Sequence, residues 1–128
     1  MSGIFENKIS QWLKMVPLGE PGLYRTTFDK QHLGNIFIRS LHGGVSGASI
    51  EISAETITKE NLTGDYELTI SSVSIDYLRI TRDTDLYCKA NIVRMSKRLS
   101  VVDVLCWQDT ESTPVVRGTV TLKITRPE

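Results

Sequence analysis

Four β-rich runs in the second half of the chain constrain its fold more than any other feature. They are "YELTISSVSIDYLRI" (66–80), "DLYCKANIVRM" (85–95), "LSVVDVLCWQD" (99–109) and "TPVVRGTVTLKIT" (113–125), separated only by "TRDT", "SKR" and "TES". A crossover to a parallel neighbour takes about a dozen residues or more, whereas a hairpin needs only about two to five. The gaps therefore predict antiparallel neighbours, strand following strand. In the last run Val116, Gly118, Val120, Leu122 and Ile124 alternate with Arg117, Thr119, Thr121 and Lys123. One face of such a sheet is apolar and the other polar.

An apolar sheet face needs a cover. "VSGASIEISAETITKE" (45–60) supplies one, and its pattern predicts a central helix over 44–60. Ser46, Gly47, Ala48, Ser49, Ser53 and Ala54 suit a helix packed closely under other backbone. Val45, Ala48, Ile52 and Glu55 share one stripe at helical spacing. Upstream, Ile4, Phe5, Ile9, Trp12, Leu13 and Met15 predict an N-terminal helix within 1–18, broken by "VPLGEPG". "LYRTTFD" (23–29) predicts a short strand. "KQHLGNIFIRSLHGG" (30–44) predicts a loop of about fifteen residues, a length that often carries function. The class is α+β: an antiparallel sheet of about five to six strands with one long central helix. The 128 residues form a single domain, 1–128, of a size that often gains stability by oligomerising.

Lys plus Arg is 15 and Asp plus Glu is 15, so the net charge is zero. That argues against a broad nucleic-acid-binding face and leaves room for a local basic pocket. Cys88 and Cys106 are the only cysteines and sit in apolar runs, so buried free thiols are expected. The opening "MSGIFENKISQW" lacks the apolar core of a secretion signal. No apolar run approaches the roughly 18 residues of a membrane span. A soluble, cytoplasmic protein is the expectation. There is no GxSxG, Walker loop or HExxH, so serine-hydrolase, nucleotide-triphosphatase and zinc-protease readings lack support. No cofactor and no metal are expected.

The stretch "GNIFIRSLHGGVSGASIE" (34–51) contains Asn35, then Leu41-His42-Gly43-Gly44, then Glu51 nine residues after the histidine. Further on come Asp76-Tyr77-Leu78-Arg79 and the basic turn Arg94-Met95-Ser96-Lys97-Arg98. In this combination the chain resembles the hotdog-fold acyl-CoA thioesterases of the phenylacetate-degradation type, over roughly residues 20–125. The resemblance implies a sheet wrapped around the central helix, and hydrolysis of a CoA thioester to free acid and CoA.

Thioester hydrolysis builds an oxyanion that needs N–H donors. A helix N-terminus offers free donors and a positive dipole end, and glycine lets a ligand approach the backbone. The resemblance implies that the Gly43 N–H and the Asn35 side chain polarise the carbonyl. It makes Glu51 the catalytic base or nucleophile. His42 and Gly44 then shape the turn that receives the substrate, and Arg94, Lys97 and Arg98 stand where CoA phosphates would bind. Family members often carry a Ser or Thr seven residues before the tyrosine to steer the water. Here that position is Ile70, flanked by Thr69 and Ser71, and a β-bulge would re-aim one of the two, with Ser71 our choice. Ser96 stands where the basic turn usually has glycine. Glu55, one turn after Glu51, is a second acid where relatives often have a small polar residue. Like-charge repulsion would raise one of the two pKa values, whereas an i,i+4 pair with Lys59 would satisfy Glu55, and the pair is favoured.

The spacing carries one more deduction. Glu51 follows Gly43 by eight residues, roughly 12 Å along a helix, while oxyanion donors must lie within about 3 Å of their target. One chain's own Gly43 and Glu51 therefore do not serve one carbonyl. Two antiparallel central helices from different subunits would pair them, in a homodimer or a dimer of dimers. The alternative is a non-catalytic hotdog domain that binds acyl-CoA or another apolar ligand.

Overall fold

The computed structural model describes residues 8–29, 33–35, 40–41 and 43–127. Elements run in the order α1 (Lys8–Leu13), β1 (Met15–Pro17), β2 (Leu23–Thr26), β3 (Leu33–Asn35), β4 (Ser40–Leu41), α2 (Gly43–Glu60), β5 (Glu67–Tyr77), β6 (Leu86–Met95), β7 (Leu99–Trp107) and β8 (Val116–Thr125). Six strands make one antiparallel sheet in the order β1-β2-β6-β7-β8-β5, and β3 and β4 make a separate ladder. The long helix α2 packs against the sheet, chiefly on β6, β7 and β8. This is the α+β hotdog arrangement that the motif resemblance implies.

Val102, Val104, Cys106, Val116, Val120, Leu122 and Ile124 form the inward face of β7 and β8 and are buried. Their alternation with exposed Arg117, Thr119 and Lys123 is the half-buried strand pattern of the sequence. Cys88 and Cys106 lie opposite each other on β6 and β7, both free and buried, their sulfurs 3.3 Å apart.

The helix stays close to the sheet because its buried side chains are small. Ser49 Oγ and Thr26 Oγ1 hydrogen-bond at 2.8 Å, as do Thr58 Oγ1 and Ser100 Oγ at 3.0 Å. Ser53 Oγ donates to the Ser49 carbonyl and Thr56 Oγ1 to the Ile52 carbonyl, each at 2.7 Å. Every one of these hydroxyls is thereby satisfied in a dry interior. The expected stripe of Val45, Ala48, Ile52 and Glu55 is replaced by a wider one. Val45, Ser46, Ser49, Ile50, Ile52, Ser53, Ala54, Thr56, Ile57 and Thr58 are all buried, because five strands of the sheet and helix α1 all pack against α2.

Four expectations change. The strand at 66–80 does not pair with its successor; β5 pairs with β8 over Glu67↔Thr125 to Tyr77↔Val116 and forms an edge. "TRDT" is not a hairpin turn but part of a crossing segment. Leu78 N and Arg79 N donate to the Val115 carbonyl at 2.8 and 3.1 Å, and the Arg79 guanidinium bonds the Pro114 carbonyl. Gln108 then holds the segment through Arg82 N at 2.8 Å, Arg82 O at 2.9 Å and Thr84 O at 3.1 Å. Those bonds carry the chain over the end of the sheet to β6, so Leu78 and Arg79 lie beyond the strand.

The second change concerns helix α1, which stops at Leu13. Lys14 takes a φ of 53°, and Met15–Pro17 pair with β2 instead of extending the helix. In the turn that follows, Gly22 has a φ of 84°, and its carbonyl accepts from Ala90 N at 2.7 Å. A Cβ there would strike the Ala90 carbonyl oxygen and come within 2.9 Å of Ile57 Cδ1. Only glycine closes this turn. Third, the expected strand at 23–29 ends at Thr26. Fourth, the expected loop at 30–44 contains the β3–β4 ladder, with Leu33 opposite Leu41 and Asn35 opposite Ser40.

Candidate functional site

Helix α2 is buried on most of its circumference, which makes the remainder conspicuous. Gly44 is exposed, and Ala48, Glu51, Glu55 and Lys59 are half-buried. The steps between them are four, three, four and four residues, one stripe along the helix. That stripe carries a glycine of the His-Gly-Gly turn at one end and two of the helix's three acids, Glu51 and Glu55, in its middle. A Cβ on Gly44 would meet nothing within 4 Å among the described residues, so no contact among them demands a glycine there.

Of the residues that sequence reasoning singled out, Gly43 opens α2 and Asn35 closes β3, two residues of backbone placed by the helix start and the small ladder before it. His42 lies outside the described residues. Gly43 and Glu51 sit on one unbroken helix of 18 residues. Their separation is therefore roughly the 12 Å of eight helical steps.

Glu55 feels the Lys59 charge that the i,i+4 spacing predicts, but burial has the larger effect on it. Burial raises its pKa above the usual carboxylate value. The Lys59 charge opposes that shift and the Glu51 charge adds to it, with a net upward result. Desolvation of a carboxylate thus outweighs one nearby ammonium here. Glu55 and Lys59 line a cavity of about 560 Å³ with Gly64, Asp65, Tyr66, Glu67 and Leu68, where the end of the helix faces the start of β5.

Strand β5 contains the bulge that sequence reasoning considered. Ile70 pairs with Leu122 and Ser72 with Thr121, leaving Ser71 as the extra residue. The insertion shifts the strand's phase: Leu68 and Ile70 face inward before it, opposite Ile124 and Leu122, and Val73 and Ile75 after it, opposite Val120 and Gly118. The two adjacent serines mark that shift. Ser71 itself is exposed on this edge strand.

The basic turn divides. Lys97 and Arg98 line a cavity of about 530 Å³ together with Lys123 and Arg126. Arg94 does not belong to it: a bulge at Val93 sets Arg94 opposite Val101, on the outer face of the sheet. Lys123 and Arg126 were missed by sequence reasoning. The signal was available in the last strand, whose alternation puts Lys123 on the polar face beside Leu99, its register partner. Among the described residues no group of three His, Cys, Asp or Glu side chains could hold a metal ion, and no helix is long and apolar enough to cross a membrane.

A family model described as the thioesterase superfamily matches residues 39–115, more than half of the chain. Among curated proteins none matches. Among solved structures, the chain is similar to a thioesterase from Haemophilus influenzae, at 18% identity and a TM-score of 0.83, covering 96% of this chain and 86% of that one. It is also similar to a Bacillus halodurans protein crystallised with CoA, at 19% identity and a TM-score of 0.80, covering 92% and 76%. A phenylacetic acid degradation-related protein from Ralstonia eutropha matches at 18% identity and a TM-score of 0.79, covering 90% and 88%. At such identities these likenesses establish a shared fold.

Proposed function

The chain belongs to the thioesterase superfamily, and from that premise we propose that it hydrolyses an acyl-CoA to free acid and CoA. Glu51 acts as base toward water or as nucleophile, and the Gly43 N–H with the Asn35 side chain polarises the thioester carbonyl. The observation that carries this reading is the open stripe of α2. A helix otherwise sealed by the sheet leaves uncovered the line bearing Gly44, Glu51 and Glu55. Half-burying a carboxylate costs solvation, and the packing of the helix has no need for two acids on its least covered face.

The site is shared between two copies of the chain. Gly43 and Glu51 are too far apart along α2 to meet one carbonyl, and β5 beside the stripe is an 11-residue edge strand with no second partner among the described residues. Val73 on its inward side is 37% exposed although its partner Val120 is fully buried. A second copy pairing along β5 about a two-fold axis would set the helices antiparallel, with Gly43 of one opposite Glu51 of the other. His42 and Gly44 then border the carbonyl site, and Ser71 reaches the water from the bulge. Lys97 and Arg98, joined by Lys123 and Arg126, hold the phosphates of CoA, while Arg94 takes a more distant position on the outer face. The Bacillus halodurans protein that binds CoA is consistent with this ligand.

The test is free-thiol release from a panel of acyl-CoAs of aryl, short and medium chains. Glu51→Gln is expected to lower kcat on the order of 1000-fold with binding retained, within the range of general acid–base catalysis. Binding without turnover in the wild type would instead establish a non-catalytic acyl-CoA-binding domain. Turnover unaffected by Glu51→Gln would remove Glu51 from the chemistry.

A further inference from the structure

We propose that Glu55 is a second catalytic carboxyl, the proton donor to the departing thiolate, working with Glu51 across one turn of α2. The inference rests on the thioesterase reading above and deepens it. Residues four apart on a helix have Cβ atoms about 5–6 Å apart, close enough for two carboxyl groups to act on neighbouring atoms of one substrate. Both acids lie on one half-buried stripe of the helix, and Glu55 in addition lines the open 560 Å³ pocket between the end of α2 and the start of β5.

The groups around Glu55 are Glu51 and Lys59 from its own helix, and Asp65, Tyr66 and Glu67 from the segment leading into β5. Burial and the Glu51 charge favour the protonated form, and Lys59 opposes them without prevailing. Two carboxyl groups in contrasting surroundings, one of them raised in pKa by burial, are the arrangement that separates an acid from a base.

The step balances as follows. Glu51 takes a proton from water as the water oxygen bonds to the thioester carbon, and the carbonyl π electrons move onto oxygen. The oxyanion re-forms the carbonyl, the C–S bond breaks, and its electron pair leaves on sulfur. Glu55 gives its proton to that sulfur. Transfer of the Glu51 proton to Glu55 through water restores the starting state, so one water and one thioester become one acid and one thiol.

The measurement is kcat and KM against pH for wild type and Glu55→Gln, with a CoA thioester and with the thiophenol thioester of the same acid. Glutamine keeps the shape of glutamate, and thermal unfolding of each variant reports whether the fold is kept; Glu55→Asp serves as a second variant that retains a carboxyl. With the CoA thioester, Glu55→Gln is expected to lose on the order of 100-fold in kcat with KM little changed, and to lose the fall in rate on the alkaline side. The loss should shrink to a few-fold with thiophenol, a leaving group that needs no proton, and Glu55→Asp should recover part of the rate and the alkaline limb. A Glu55→Gln enzyme with wild-type kcat and an unchanged alkaline limb overturns the inference alone. So does a loss equal for both leaving groups. A wild type that releases no thiol from any acyl-CoA overturns the thioesterase reading and the inference with it.

Discussion

The two edges of the sheet differ sharply. One is β1, only three residues long and ended by Pro17, which has no N–H to offer a further strand. Its Met15 is buried, as is Leu13 before it, so this edge is finished by the chain's own N-terminal segment. The other is β5, 11 residues long and, among the described residues, paired with β8 on one side only. Its inward residues Leu68, Ile70 and Ile75 are half-covered and Val73 is exposed, while the facing residues of β8 are buried. Natural sheets blunt edges that must stay single. The bare edge begins beside Glu55, which shares a pocket with Glu67 and Leu68 of β5. The contrast teaches that this chain buries its core more fully at one flank than at the other, which is the flank the proposed second copy would cover.

The comparison can be broken first at the closed flank. Gly22→Ala forces a side chain into a positive φ and onto the Ala90 carbonyl. It is expected to cost about 3 kcal/mol or more, read as a lower midpoint in urea unfolding. Next comes burial on either side of the β5–β8 ladder. Leu122→Ala, at a fully buried site, is expected to cost about 3 kcal/mol, and Ile70→Ala, its register partner on the edge, about half of that when measured in dilute monomer. Equal costs would mean that β5 is as enclosed as β8, and the contrast would fail.

Assembly sharpens the same point. Val73→Lys places a charge on the inward side of the bare edge and is expected to shift sedimentation toward monomer and to remove thiol release with it. Val16→Lys on the blunt edge should leave assembly unchanged. The smallest effect concerns pH. The pKa of Glu55 is higher in the folded state than its ordinary value, so the folded chain binds more protons than the unfolded chain between those two values. Its contribution to stability is complete below the ordinary carboxylate range and declines as pH rises through it to the raised value. Glu55→Gln should flatten that part of the stability profile, measured as urea midpoints from pH 4 to pH 8; a decline of the same size in the variant would assign it to other groups.

Much of the fold was legible because it rests on local rules. The period-two pattern of Val116 to Ile124 and the short gaps "SKR" and "TES" were enough for the β6-β7-β8 meander. The gap "TRDT" was equally short, yet it misled. Whether a polar tetrapeptide turns or crosses depends on distant partners, here Gln108 and the Val115 carbonyl, and no local pattern encodes them. The bulge at Ser71 was half legible: two serines interrupt the alternation, but only the β8 register shows which residue is extra.

For the candidate site, the sequence by itself determined the chemical types and their spacing: a glycine pair at a helix start, an acid nine residues after the histidine, and a second acid one turn on. It also determined that eight helical steps separate Gly43 from Glu51, because helix rise per residue is constant. Only the tertiary structure decided which helix face stays open, that Glu55 holds its proton more tightly than a surface acid, and that Lys123 and Arg126 join Lys97 and Arg98 while Arg94 does not. Burial, desolvation and register are sums over residues far apart in the chain, so they exist only once the sheet has closed around the helix.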